Sequence, residues 1–194
     1  MVSDADLIAA SLSDPEQFGA IFERHFDPIH RYAARRLGAA RADDLTARVF
    51  TIAFEQRRRF DLTAPDARPW LYGIASNLVR SDRRAERRLL AALSRLAARA
   101  DATGRDEDEG LVDGRERARL ARALKRLDRR QRDVLLLHCW AGLSHAEIAV
   151  ALGIPAGTVA SRLSRARQRV RAALEDEIGR TARPAAVPTS KEER

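Results

Sequence analysis

The segment Leu143–Val159 constrains the fold more than any other part of the chain, because its residues specify two short helices and the turn between them. Ser144 and Glu147, three residues apart, have the pattern of a capping box at a helix start. Gly153 suits a turn that requires a positive φ, and Pro155 suits the first turn of the helix that follows. The sequence therefore predicts a helical hairpin with a tight turn at the glycine.

The second helix of this hairpin has two contrasting faces. Apolar residues recur at steps of three and four, as in a helix with one buried face: Val159, Leu163, Ala166, Val170 and Leu174. Between residues 155 and 171 the chain also carries five arginines and no acid. An apolar back and an arginine-bearing front are typical of the recognition helix of a helix-turn-helix motif, which lies in the major groove of DNA. We therefore predict DNA contacts by seven residues: Ala156, Gly157, Thr158, Ser161, Arg162, Arg165 and Arg169. The alternative is an ordinary helical hairpin with a solvated basic face.

The rest of the chain is predicted to be helical as well. Apolar residues recur at helical spacing from residue 18 to residue 32, after a start signal at Asp14 and Pro15. Asp43 and Asp44 mark the start of the next helix, and residues 61–66 have the composition of a loop. A further helix begins near Arg68, and we expect it to continue into the arginine-rich segment 80–99. The predicted fold class is all-α.

Charge divides the chain into blocks. With 194 residues it is long enough for one mid-sized domain or two small ones. Residues 31–100 carry a net charge of +9 and residues 115–178 one of +7, whereas residues 101–114 carry −5. Basic blocks of this size are typical of a chain with a polyanionic partner, and the alternative is that they form solvated helix faces. We predict two small helical domains, 1–99 and 115–178, the second a helix-turn-helix, with a flexible acidic linker at 100–114 and a disordered tail at 179–194.

Several other classes of protein are not favoured. No apolar run reaches 18 residues and the N-terminus is acidic, so we expect a cytoplasmic protein with no membrane insertion. His138 and Cys139 are adjacent and would point apart on a helix, which makes them poor co-ligands. We expect Cys139 to be buried beside Trp140, and we predict no metal, no cofactor and no enzymatic activity.

Taken together, the two basic blocks resemble the extracytoplasmic-function (ECF) sigma factors of bacterial RNA polymerase. In the first block the resemblance rests on Asp43-Asp44-Leu45 with Val49-Phe50, on Arg59-Phe60, on the segment 69–77 (PWLYGIASN) and on the segment 80–84 (RSDRR). In the second block it rests on the segments 143–149, 152–159 and 161–167. The order of these motifs around an acidic strip is specific to that family.

The resemblance implies that the two domains have different functions. The first would dock on the clamp of the largest polymerase subunit and open the minus-ten promoter element, and the second would read the minus-thirty-five element. Core RNA polymerase (clamp, and flap of the second subunit), promoter DNA and an anti-sigma factor are the implied partners. The resemblance places polymerase contacts at Asp44, Leu45, Thr46, Ala47 and Phe50. It places minus-ten contacts at Arg59, Phe60, Asp61, Leu62, Arg68, Asn77, Arg80, Arg83, Arg84 and Arg87.

The sequence departs from the family pattern at Ala47 and Arg48, where a glutamine and an acid are common, and at Ala160, where a basic residue is common. We expect these changes to tune docking and DNA binding. The resemblance also implies that the free domains move about the linker until an anti-sigma factor clamps them together.

Two alternatives stay open from the residues alone. A helix-turn-helix regulator that does not replace a sigma factor would share the second block, but it would not need the motifs at 69–77 and 80–84. A DNA-processing enzyme such as a recombinase would need a nucleophile or a carboxylate cluster in the first block. The one close acidic pair there, Asp43 and Asp44, lies at a predicted helix start, where the helix dipole favours acids.

Overall fold

The computed structural model describes the backbone of residues 2–103 and 109–181 and, within those ranges, the side chains of residues 2–82, 84–95 and 118–176. This part of the chain contains no β-strand, which agrees with the predicted all-α fold. Short 3₁₀ turns lie at Pro15–Phe18 and Arg57–Arg59. The described α-helices are α1 (Asp4–Ala10), α2 (Gly19–Leu37), α3 (Ala39–Gln56), α4 (Arg68–Ser81), α5 (Arg83–Thr103), α6 (Glu109–Arg126), α7 (Arg129–Ala141), α8 (His145–Leu152) and α9 (Ala156–Thr181).

Helices α1 to α5 make up a first helical group. The Asp14 carboxylate accepts a hydrogen bond from the Glu16 amide, and Pro15 opens the turn that leads into α2, as the sequence predicts. The prediction that the next helix starts at Asp43 is wrong by one turn. Gly38 has a φ of 90°, which ends α2 and lets the chain begin α3 at once at Ala39.

The predicted continuation of α4 into the arginine-rich segment is also wrong. Asp82 leaves the helical conformation, with φ −95° and ψ 44°, so α5 begins as a separate helix at Arg83. The loop predicted at 61–66 is present between the 3₁₀ turn and α4. This loop and the break at Asp82 set the two ends of α4.

Helices α6 to α9 make up a second helical group. Helix α5 packs along α6, and the predicted linker 100–114 overlaps the end of the one and the start of the other. Its centre, residues 104–108, lies outside the described residues, as do residues 182–194 of the predicted tail. Helix α9 reaches Thr181 and packs against α6, α7 and α8.

The two helical groups also touch directly. Helix α4 of the first packs on α8 of the second, and α7 contacts both α2 and α4. Buried apolar residues of both groups belong to one continuous cluster, which contains Leu71 and Tyr72 from α4 as well as Leu137 and Ile148 from α7 and α8. Within the described residues no single helix is long and apolar enough to cross a membrane. The pair His145–Leu152 and Ala156–Asp176 is long and apolar enough only when the two helices are taken together, and they are bent by 106°.

Candidate nucleic-acid interface

The hairpin predicted at 143–159 is formed by α8, a tight turn and the start of α9. Ser144 Oγ accepts from the Glu147 amide at 3.2 Å, and the Glu147 carboxylate accepts from the Ser144 amide at 2.7 Å. The hydrogen bonds from Ser144 hold the pKa of Glu147 below its ordinary value. Gly153 takes the left-handed conformation, with φ 62°, and ends α8. The capping box and the glycine turn predicted from the sequence are confirmed.

Helix α9 buries one face and exposes the other. Val159, Leu163 and Ala166 are buried against α6, α7 and α8. The seven predicted contact residues all reach the surface: Thr158 and Arg162 are half-buried, and Ala156, Gly157, Ser161, Arg165 and Arg169 are exposed. The amphipathic arrangement predicted for this helix is therefore present.

Two arginines on the exposed face of α9 are already positioned by protein contacts. Arg165 Nε donates to the Ser161 carbonyl at 3.1 Å, which holds its side chain along the helix. Arg169 Nη1 donates to Gln131 Oε1 at 2.9 Å and lies 3.8 Å from the Asp128 carboxylate at the start of α7. Arg169 is thus tied to α7, whereas Arg162 and Arg165 face a groove.

That groove, which we call the basic groove, has a volume of about 800 Å³. Its arginines come from α5, from the start of α7 and from α9, and it also contains two hydroxyls and the carboxylates of Glu86 and Asp128. The cations and hydroxyls are Arg87, Arg129, Arg130, Arg132, Thr158, Ser161, Arg162 and Arg165. The groove brings Arg87 of the predicted minus-ten set next to four residues predicted to bind the minus-thirty-five element. Its charge suits a phosphate backbone.

A second concavity of about 630 Å³ lies between α4 and α8, and we call it the aromatic cavity. The rings of Phe60 and Trp70 meet there with centroids 5.1 Å apart. Arg59, Asp61 and Asn77 line the same space. Ring faces beside amide and carboxylate groups suit an unstacked base, which is held by stacking and by contacts to its edge.

Comparison with known proteins identifies the family. The model of Sigma-70 region 2 matches residues 21–89, and that of Sigma-70 region 4 matches residues 117–170. The ECF RNA polymerase sigma factor SigL of Mycobacterium tuberculosis is 31% identical over 174 residues, which cover 89% of this chain and 97% of the relative. This chain belongs to the ECF sigma factors. It directs promoter-specific initiation of transcription by RNA polymerase, and sigma factors are initiation factors rather than enzymes.

Other relatives of this sigma factor agree. RNA polymerase sigma factor NccH of Alcaligenes xylosoxydans xylosoxydans is 32% identical over 179 residues, covering 90% of this chain and 95% of the relative. The fold is similar to that of CnrH in its complex with the cytosolic domain of CnrY, with a TM-score of 0.66, 24% identity and coverage of 90% of this chain and 98% of that one. It is also similar to RpoE of Bartonella quintana in complex with the anti-sigma factor NepR, with a TM-score of 0.58, 22% identity and coverage of 82% and 98%.

The structure separates the predicted minus-ten residues of the sigma factor into three sets. Arg59, Phe60, Asp61 and Asn77 line the aromatic cavity. Leu62 is exposed in the loop before α4, and Arg84 and Arg87 are exposed on α5. Arg68 and Arg80 contact the second helical group, and the side chain of Arg83 lies outside the described residues.

The predicted polymerase-docking set is divided between surface and core. Asp44 and Ala47 are exposed on α3. Leu45, Thr46 and Phe50 are buried in this structure, and their role in docking stays a prediction. Their spacing places them on the stripe of α3 that faces the core, which the family motif alone did not reveal.

Sequence reasoning missed a cluster of buried charges between the two helical groups. Arg36 in α2 donates to Glu86 at 2.8 Å and to the Tyr32 hydroxyl at 2.7 Å, and its Nη2 donates to Asp133 of α7 at 2.9 Å. Burial alone lowers the pKa of Arg36, but Tyr32, Glu86 and Asp133 outweigh it and raise that pKa. One signal was available in the sequence, since Arg36 continues the apolar stripe of Ile29 and Tyr32 at a step of four.

One cluster of possible metal ligands has a structural explanation. Asp4, His25 and Asp66 bring three possible metal ligands within 4.8 Å of one another. The Asp4 carboxylate, however, accepts from the Ala67 amide at 2.9 Å and from Arg24, and it lies 2.7 Å from His25 Nε2. These contacts join α1, α2 and the start of α4.

The expectation that Cys139 is buried beside Trp140 is wrong. Cys139 lies on α7, and its side chain is exposed to solvent.

Proposed function

We propose that this sigma factor reads the minus-thirty-five element as duplex DNA with the exposed face of α9. The observation that carries the proposal is the contrast between the two faces of that helix, one buried in the second helical group and the other bearing Arg162 and Arg165 at a basic groove. The residues at its N-terminus, Ala156 to Thr158, would lie closest to base edges, and the arginines would reach bases or phosphates.

We propose that the aromatic cavity receives an unstacked base of the minus-ten element. Half-buried Trp70 supplies a ring face, with the ring of the buried Phe60 packed against it, and the exposed Asn77 amide supplies both a donor and an acceptor for a base edge. Hydrogen bonds from the Thr63 hydroxyl and amide lower the pKa of Asp61, so this acceptor is a carboxylate at neutral pH. Arg84 and Arg87 on α5 would track the backbone of the same strand.

The exposed face of α3 is the proposed docking surface for the clamp of the polymerase. It presents Asp44 and Ala47. Phe22 of α2 is exposed nearby, and the centroid of its ring lies 4.9 Å from that of Phe50. The second helical group would meet the flap of the second polymerase subunit. The buried residues Leu45 and Thr46 would hold α3 in place without touching the polymerase.

We infer further that the chain works in the cytoplasm and is held by an anti-sigma factor. The solved complexes of CnrH with CnrY and of RpoE with NepR support that kind of partner. A helix-turn-helix regulator that does not replace a sigma factor is disfavoured, because residues 21–89 match region 2 of the Sigma-70 family.

A transcription assay tests the function directly. Purified protein is added to core RNA polymerase with fragmented genomic DNA of the source strain, and the 5′ ends of the transcripts are mapped. We expect defined start sites that share upstream sequences and that are missing with core polymerase alone. Transcripts that start at the same positions with and without the protein would refute the proposal.

A further inference from the structure

The basic groove contains three arginines whose charge is not balanced by a neighbouring side chain. Arg129 and Arg130 begin α7, and Arg162 lies on α9. Within the described residues, none of these three side chains forms a hydrogen bond or an ion pair. Arg132 of the same groove, by contrast, donates to two backbone carbonyls and to the Glu86 carboxylate. Unpaired cations that converge on one concavity attract an anion.

The two acids that line the groove do not supply that anion. Glu86 is buried and accepts from Arg36 Nε at 2.8 Å. Asp128 caps α7, where one of its oxygens accepts from the Gln131 amide at 2.9 Å and the other lies 3.8 Å from Arg169. Both carboxylates are thus committed to other partners. Six arginines line the groove against these two acids, so the lining keeps an excess of positive charge.

The positions of Arg129 and Arg130 are unfavourable for helix α7 itself. They are its first two residues, and the first turn of α7 contains no acid. The N-terminus of a helix carries a partial positive charge, so cations there are destabilising and anions are stabilising. The first amides of a helix also have no acceptor within it. A bound anion would therefore relieve both the guanidinium charges and the end of the helix.

The size and the lining of the groove indicate which anion it fits. Its volume of about 800 Å³ lies in the range of pockets that hold small molecules. Arg87, Arg165 and the hydroxyls of Thr158 and Ser161 line it together with the three unpaired arginines. Arginine forms strong, charge-assisted hydrogen bonds to phosphate oxygens. None of the described residues that line the groove is aromatic, so the groove has no ring on which a base would stack.

A promoter is too long to bring both of its elements into this groove. Arg87 belongs to the set predicted for the minus-ten element, and Arg162 belongs to the set predicted for the minus-thirty-five element. These elements are about 25 base pairs apart, which is roughly 85 Å at 3.4 Å per base pair. A groove that brings Arg87 and Arg162 together therefore suits a much shorter ligand.

We propose that the basic groove is a binding site for an oligophosphate, a short chain of linked phosphate groups, which is held by Arg129, Arg130 and Arg162 and recognised by its phosphates alone. Because Arg162 is also proposed to bind the minus-thirty-five duplex, the oligophosphate and that duplex compete for one side chain. This competition rests on the proposed function, whereas oligophosphate binding itself does not. The sigma factor would lose affinity for its promoter when oligophosphate accumulates.

Isothermal titration calorimetry of the full-length protein tests the site, with tripolyphosphate, adenosine triphosphate and sulfate as probes at one ionic strength. We expect tripolyphosphate to bind at least about tenfold more tightly than sulfate, because one chain reaches arginines of both α7 and α9. Adenosine triphosphate should bind no more tightly than tripolyphosphate, because the base has no ring to stack on. Much tighter binding of adenosine triphosphate would refute recognition by phosphates alone.

A double variant and a matched control assign the site to the groove. The variant Arg129→Ala with Arg130→Ala removes two charges from the groove, and the control Arg167→Ala with Arg171→Ala removes two from exposed α9 surface outside it. We expect the variant to bind tripolyphosphate about tenfold or more weakly than wild type, and the control to lose less than about threefold. Circular dichroism verifies that both are folded.

Two calorimetric results would overturn the proposal. The first is the absence of tripolyphosphate binding by wild type. The second is an equal affinity of the variant and the control, whether both match wild type or both are weakened, because it would show only general attraction between charges.

Fluorescence anisotropy of a labelled duplex tests the competition. The duplex carries the upstream sequence shared by the mapped start sites. Tripolyphosphate should weaken duplex binding by wild type more than sulfate does at the same ionic strength, and this difference should be lost in the variant Arg129→Ala with Arg130→Ala. Equal effects of the two salts on wild type would overturn the competition. Failure of wild type to bind the duplex would contradict the proposed function, whereas calorimetry reports the oligophosphate site independently of it.

Discussion

The substitution Leu45→Ala tests whether α3 docks on the polymerase through its buried stripe or through its exposed face. Leu45 is 3% exposed, so its side chain is almost completely removed from water in the folded protein. The change deletes three buried carbon atoms, worth about 2.4 kcal/mol at about 0.8 kcal/mol each. The cavity left behind brings the expected loss in free energy of unfolding to about 3–5 kcal/mol. This is a large share of the roughly 5–15 kcal/mol that stabilises a typical domain.

Urea unfolding followed by circular dichroism measures that loss. With a slope of about 1–3 kcal/mol per molar urea, the midpoint for Leu45→Ala should fall by at least about 1 M. Asp44→Ala, on the exposed neighbour, should change stability by less than about 0.5 kcal/mol but weaken binding to core polymerase. An unchanged urea midpoint for Leu45→Ala, together with weakened core binding, would refute the buried placement and restore Leu45 as a contact residue.

Three further predictions concern the cap of α8, the buried carboxylate of Asp4 and the DNA-binding face. Ser144→Ala removes the capping box of α8 and should lower the thermal stability of the second helical group by about 0.5–2 kcal/mol, measured by calorimetry; no change would contradict the cap. Burial raises the pKa of Asp4, but the Ala67 amide and the charge of His25 outweigh it and lower that pKa below 3.8. Asp4→Asn should therefore lower the free energy of unfolding by about 1–3 kcal/mol at pH 7. The difference from wild type should shrink as the pH falls below about 3.8 and through the pKa of Asp4 in the folded protein. A difference that does not depend on pH would argue against the pairing of Asp4 with His25. Arg162→Ala should weaken binding of the minus-thirty-five duplex by about 1–3 kcal/mol and reduce its dependence on salt, whereas Arg167→Ala, on another exposed face of α9, should have a smaller effect; equal losses would assign both to general charge.

Local features were predictable where neighbouring residues decide the conformation. The capping box at Ser144 and the glycine turn at Gly153 follow from spacing within a few residues, and both are present. The stripe predicted on α9 is buried from Val159 to Ala166, whereas Val170 and Leu174 are half-buried. The start of α3 was not predictable in the same way. Two consecutive acids are favourable in a first helical turn, but Gly38 ended the preceding helix one turn earlier.

Exposure was harder to predict than helicity. The family motif places Leu45 and Phe50 next to the exposed Asp44, although the helical repeat puts them on the opposite, buried face of α3. Phe22 continues the apolar stripe of α2 but is 42% exposed, because that stripe is wider than the surface it packs against. A motif records which residue types occur together, whereas the packed neighbours decide which of them reach a partner.

The amino-acid sequence by itself determined an all-helical chain, the two basic blocks, the helix-turn-helix and the family to which they belong. Only the tertiary structure showed that Arg36, Arg80 and Asp133, drawn from helices far apart in the chain, meet in one buried cluster and that α8 covers α4 at Gly73. The physical reason is range. Caps, turns and amphipathic stripes arise from contacts within about four residues, whereas pairing of buried charges depends on which distant surfaces the fold brings together.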